Sequence, residues 1–205
     1  MSQSGRRFHF GLTMKNVRTH KAARDLTLDF FDRDPDTVAQ DLIGAHVFVR
    51  GVGGKIVETE SYDASDPASH SFRGPTAANT AMFGPPAHAY IYRSYGLHWC
   101  LNFVCRPGSA VLIRALEPTR GVQKMIVRRQ TDKLKALCAG PGRLCMALAV
   151  DRALNGAYLL APPFRLTPKA ESIPLIKGPR IGITKAAAAI RRYGERSSPF
   201  LSRRF

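Results

Sequence analysis

Regular hydrophobic spacing begins near Leu26 and settles first into a helical rhythm. Asp34 is suited to cap a helix and Pro35 to open it, and Val38, Ala39, Leu42 and Ile43 then share one face before Gly44. The period next shortens to two. Residues 45–50 and 55–62 read as strands joined by the turn Gly51-Val52-Gly53-Gly54. Stretches 89–92, 99–105 and 110–116, rich in β-branched and aromatic residues, are predicted as further strands. Between 121 and 150 the helical period returns, with Leu144, Cys145 and Leu148 on one face after Gly140-Pro141-Gly142. Short strands at 158–160 and 181–183 complete an expected single-domain α+β fold.

Composition leaves that picture intact. The 205 residues are 44% hydrophobic and 22% charged, which excludes disordered, collagenous and coiled-coil chains. No apolar run approaches the length of a membrane span. Cys100, Cys105, Cys138 and Cys145 form no Cys-x-x-Cys pair beside a histidine doublet, so reduced, buried thiols are expected rather than a zinc site.

Charge alters the picture more. Thirty-one Lys and Arg face fifteen Asp and Glu, a net charge of +16. Residues 1–24 hold six basic residues and no acid, so 1–25 read as a mobile basic arm before a domain at 26–205. The arm has no continuous apolar core, unlike a secretory signal. Six of the acids fall between Asp25 and Asp41, so the remaining chain is more basic still. Such a field favours a polyanionic partner, nucleic acid ahead of a membrane surface.

Alternation along 55–62 puts Glu58, Glu60 and Tyr62 on one face of a strand. Two carboxylates beside a ring are costly unless solvated or used. The following segment supplies Asp66, His70, Tyr90, Tyr92, Tyr95 and Trp99, so four of the six tyrosines and the sole tryptophan lie between 62 and 102. Rings interleaved with a basic background make a base-stacking composition, although Trp99 and Phe103 read as core. Tyr95, directly before Gly96, is expected at a bend.

These residues carry a resemblance. The ordered set Val57-Glu58-Thr59-Glu60-Ser61-Tyr62, Asp66-Pro67-Ala68-Ser69-His70, Met82-Phe83-Gly84, Tyr90-Ile91-Tyr92-Arg93-Ser94-Tyr95-Gly96, Cys100-Leu101-Asn102, Leu112-Ile113-Arg114-Ala115-Leu116-Glu117-Pro118 and Pro179-Arg180-Ile181-Gly182-Ile183 resembles the alkyladenine (3-methyladenine) DNA glycosylases. The resemblance spans about residues 26–185. It implies a compact domain around a curved, mostly antiparallel sheet flanked by helices, with no metal or organic cofactor. It implies that Glu60 activates water, that Arg114 and the Ile183 main-chain carbonyl hold that water, and that Tyr62, His70 and Tyr92 grip a flipped base. Asn102 would crowd the exocyclic amine of guanine, and Tyr95 would enter the minor groove. The implied partner is double-stranded DNA containing alkylated bases, bound by a monomer without any membrane, in the cytoplasm and nucleoid of a bacterium or in a eukaryotic nucleus or organelle. The chain departs from the family where Ala78 stands for a frequent arginine, in the segment Pro199-Phe200-Leu201-Ser202-Arg203-Arg204-Phe205, and in a slightly shorter Tyr62–His70 spacing. Two other classes compete on composition. A non-catalytic RNA-binding protein explains the charge but not the paired glutamates, and a sugar glycosidase explains the glutamates but not the charge.

Overall fold

The computed structural model describes Met1 and residues 26–205; apart from Met1, the basic arm lies outside them. Two short helices, α1 (Leu28–Phe31) and α2 (Pro35–Leu42), lead into strands β1 (His46–Val49), β2 (Val52–Tyr62), β3 (Ala89–Ser94), β4 (His98–Val104) and β5 (Ala110–Arg120). Helices α3 (Val122–Arg129) and α4 (Pro141–Leu148) follow, then β6 (Phe164–Thr167), β7 (Leu175–Gly178) and β8 (Arg192–Glu195). Every named pairing is antiparallel, in the order β3-β4-β5-β2-β1-β6, with β8 joining β2 to β7. The fold is therefore α+β around one curled antiparallel sheet.

The eleven-residue β2 causes the curl. Along one edge its first half pairs with β1 and its second half, Glu58 to Glu60, with β8, while β5 runs along the other edge. Register shifts at Gly53/Gly54 and between Ile56 and Thr59 bend the strand and raise its twist. The second shift also resets the alternation. Ile56 joins the core beside Val38, Ala39 and Leu42, and Thr59 Oγ1 donates to the Ala39 carbonyl at 2.9 Å. Glu58, Glu60 and Tyr62 then face away from α2, as alternation alone predicts for these three.

Helix α2 begins as its sequence dictates: Asp34 accepts from the Thr37 N–H at 3.1 Å, Pro35 opens the first turn, and Val38, Ala39 and Leu42 are buried. Leu144, Cys145 and Leu148 of α4 enter the same core, together with Phe103. All four cysteines are free and buried. No helix among the described residues is long and apolar enough to cross a membrane.

Three expectations are corrected. The turn after β1 is Arg50-Gly51, both at positive φ, so Val52, Gly53 and Gly54 belong to β2. The two glycines are there for close approach: a Cβ on either would lie 1.9 Å from a carbonyl oxygen of Val47 or Glu117. Residues 158–160 form one isolated bridge, Tyr158 with His88, which cannot extend through Pro162 and Pro163 because neither has an N–H. Residues 181–183 are a bend, with Gly182 at φ +75°, and the closing strands are β6, β7 and β8 instead.

Candidate active site

On the sheet face opposite the α2 and α4 core, β2, β3, β4 and β5 line a cavity of about 400 Å³ with the bend at 181–183. All eight residues singled out from the sequence border it: Glu60, Arg114, Ile183, Tyr62, His70, Tyr92, Asn102 and Tyr95.

Glu60 is 0% exposed, yet its carboxylate reaches the cavity. Its oxygens accept from the Tyr62 hydroxyl at 2.8 Å and the Ile181 N–H at 2.9 Å, and Arg114 Nη1 lies 3.2 Å away. Nothing in the sequence points to the Ile181 N–H. Gly182 bends the chain so that this amide points inward, and Ile183, whose carbonyl is expected to hold the water, borders the same cavity. Burial and the neighbouring Glu60 charge push the Tyr62 phenol well above its ordinary value, so it remains a donor. Burial works against the Arg114 charge, but Glu60 and Glu58 outweigh it and raise that group further.

Aromatic rings form the opposite wall. His70 and Tyr92 meet edge-to-face with centroids 4.4 Å apart, and Tyr90 stacks on Tyr92 at 5.5 Å. His70 Nδ1 lies 2.8 Å from the Tyr90 hydroxyl. Tyr62 carries a cation on one face: the Arg180 guanidinium sits 4.5 Å from its centroid, held by an ion pair with Asp66 and a 3.1 Å bond to the Ser61 carbonyl. Arg180 and Asp66 are legible in the sequence only as parts of longer motifs, since nothing there pairs them. Asn102 donates its amide N–H groups to the Tyr90 and Cys100 carbonyls at 3.0 and 3.4 Å, which fixes the side chain in the cavity wall.

Loss of solvent against the rings lowers the His70 pKa below its ordinary 6.5. The unfolded chain then takes up the His70 proton first as pH falls. Stability is full above pH 6.5 and lost as pH drops through the lowered folded value. Titration of the His70 ring by NMR is expected to give a midpoint below 6.5; one at or above that value would contradict the packing.

At the cavity mouth Tyr95 and Gly96 turn β3 into β4, both at positive φ (50° and 67°), closed by the Leu97 N–H on the Ser94 carbonyl at 2.9 Å. The Tyr95 side chain is 84% exposed. Trp99, expected as core, packs against the core while half-buried, and also borders a second cleft. No group of three or more His, Cys, Asp or Glu suited to a metal occurs among the described residues.

Comparison with known proteins gives one family. The family model for methylpurine-DNA glycosylase matches residues 29–199. A protein of Rhizobium etli is 53% identical over 195 residues, covering 95% of this chain and 98% of its own. One from Rhizobium meliloti is 58% identical over 186 residues (91% and 100%), and one from Nitrosospira multiformis 56% over 182 (87% and 94%). Each is provisionally named a 3-methyladenine DNA glycosylase. A match over most of the chain, with the motifs gathered around one cavity, means that this protein belongs to the methylpurine-DNA glycosylase family.

Proposed function

We infer that the protein is a monofunctional DNA glycosylase of base excision repair, acting as a monomer on alkylated purines such as 3-methyladenine. The observation that carries this reading is the single carboxylate of Glu60, aimed into an aromatic cavity that no lysine among the described residues lines. A glycosylase that also cuts the backbone uses an amine nucleophile, and this lining offers none. Family membership leaves the RNA-binding and sugar-glycosidase readings without support. The relatives named above are bacterial, which fits work on the nucleoid in the cytoplasm.

The chemistry follows from the geometry. A base inside the duplex hides its glycosidic bond, so the nucleotide rotates out at a cost of a few kcal/mol. The flipped purine enters between Tyr62 and the His70–Tyr92 wall. Alkylation at a ring nitrogen makes the base cationic, which improves it both as leaving group and as partner for the rings. As the bond between the base nitrogen and sugar C1′ breaks, positive charge builds on the sugar, and the Glu60 carboxylate stabilises it. A water held by Glu60 and Arg114 attacks C1′, its proton passes to the carboxylate, and an abasic site remains. The Asn102 side chain narrows the pocket, and its bulk opposes bases with an amine at that edge.

Incubation with alkylated duplex DNA is expected to yield free base while the strands stay intact until alkali is added. Absence of free base, or immediate strand scission, would refute the reading.

The second cleft, about 750 Å³, shares the His70, Tyr90 and Tyr92 wall and is bordered by Arg73, Arg93, Arg152 and Lys185, with no Asp or Glu among the described residues that line it. Ala78 also borders it, so these cations stand near the position where the chain departs from the family pattern it resembles. We assign it to the phosphate backbone beside the lesion. Replacing Arg73, Arg152 and Lys185 with Ala is expected to flatten the plot of log Kd against log salt by about 0.9 for each phosphate no longer neutralised. An unchanged slope would place the strand elsewhere.

A further inference from the structure

Glu58 is as deeply buried as Glu60 but does not border the cavity. Its carboxylate is saturated from within. It accepts from Arg114 Nε at 3.1 Å, Arg192 Nε at 2.7 Å, the Ser202 N–H at 2.6 Å and Ser202 Oγ at 2.8 Å. Two of these four donors come from the segment that departs from the family pattern. A carboxylate held by four donors away from the cavity does not meet a substrate, so its influence must pass through what it holds.

What it holds is Arg114. A guanidinium is planar, so fixing Nε on Glu58 fixes the direction of the two terminal nitrogens. Nη2 lies 3.4 Å from Ser202 Oγ, and Nη1 is left pointing at Glu60, 3.2 Å away. The segment is anchored in turn. Arg192, opposite Glu60 in the β2–β8 ladder, donates to the carbonyls of Arg203 at 2.6 Å and Arg204 at 3.3 Å. The Phe205 ring lies 3.8 Å beneath the Arg192 guanidinium, on ground cleared by two glycines: a Cβ on Gly178 or Gly194 would come within 3.0 or 2.6 Å of that ring. None of residues 202–205 borders the cavity.

We propose that Ser202–Phe205 is a positioning latch that, through Glu58, sets the Arg114 guanidinium beside Glu60, so that the rate of base release depends on residues that do not border the cavity. The proposal rests on the glycosylase reading above. Ser202 and Glu58 are positioning residues, because each acts through Arg114. The latch works on the water and on the developing charge, not on base capture, so its loss slows the chemical step and leaves lesion affinity alone.

The test uses the full chain with Ser202→Ala and Ser202→Thr, single-turnover release of 3-methyladenine at saturating enzyme, affinity for the same duplex, and urea denaturation. Ser202→Ala removes one hydroxyl bond to a buried charged pair and is expected to slow release about tenfold. Its affinity should stay at the wild-type value and its denaturation midpoint should fall only slightly, since three other donors still hold Glu58, and Ser202→Thr, which keeps the hydroxyl, should restore the rate. Glu58→Gln is expected to cut the rate further, and where it fails to fold the serine pair still decides. An active wild type with an equally active Ser202→Ala overturns the latch alone. Rate, affinity and stability falling together in Ser202→Ala also overturn it, since a merely structural serine behaves that way. A wild type that releases no base overturns the glycosylase reading, and the latch with it.

Discussion

Glu60→Gln is expected to bind lesion-containing DNA within a few-fold of the wild type and to release 3-methyladenine at least about a thousandfold more slowly. Gln keeps the volume of the side chain, so the rings that grip the base stay in place. Its amide, however, brings a donor where the Tyr62 hydroxyl, the Ile181 N–H and Arg114 are all donors already. The negative charge that would face the cationic sugar is gone, and so is the acceptor for the proton of water. Single-turnover assays with enzyme in excess separate this chemical defect from binding. Release at the wild-type rate would remove Glu60 from the reaction.

Tyr95→Ser is expected to leave the melting temperature almost unmoved, a change under about 0.5 kcal/mol, because the ring is exposed and supports no core. A buried ring of this size would cost roughly 3–5 kcal/mol instead. The backbone makes the same point. Tyr95 holds a left-handed φ of 50° that costs a non-glycine residue about 1–2 kcal/mol, and its one side-chain hydrogen bond among the described residues runs from the hydroxyl to the Gly182 carbonyl at 3.4 Å. Strain retained without packing in return fits a ring held out for a partner. As a wedge it fills the space a flipped base vacates, so truncation should slow excision strongly in stable paired duplex and little in a mismatch or single strand. Equal losses on both substrates, or a large drop in melting temperature, would refute the wedge.

The α2 cap, strands β3 to β5 and the shared face of Glu58, Glu60 and Tyr62 are legible in the sequence because each follows from short-range rules of capping and alternation. The motif resemblance reaches the eight cavity residues because their order is colinear. What escapes comes from long-range closure. Strand β8 reads Arg-Tyr-Gly-Glu, without apolar alternation, because Arg192 is buried against Glu58 and Glu195 pairs with Lys55 at 3.0 Å. The partnership of Asp66 with Arg180 joins positions 114 apart, and that of Glu58 with Ser202 joins positions 144 apart. No local pattern encodes either. The two glycines of β2 mimic a turn in the sequence because the carbonyls that exclude a side chain there belong to β1 and β5.

The burial of the four cysteines has a consequence for survival. Methylating electrophiles attack thiolates, and a thiolate needs both solvent and a pKa near neutrality. Burial raises all four thiols of this chain, including Cys100 at the cavity wall, where the Tyr92 hydroxyl only partly offsets it. A protein that repairs methylated DNA works amid the agent that made the damage. By keeping its strongest latent nucleophiles buried and protonated, even the one at the cavity wall, this one makes itself a poor target of the chemistry it corrects.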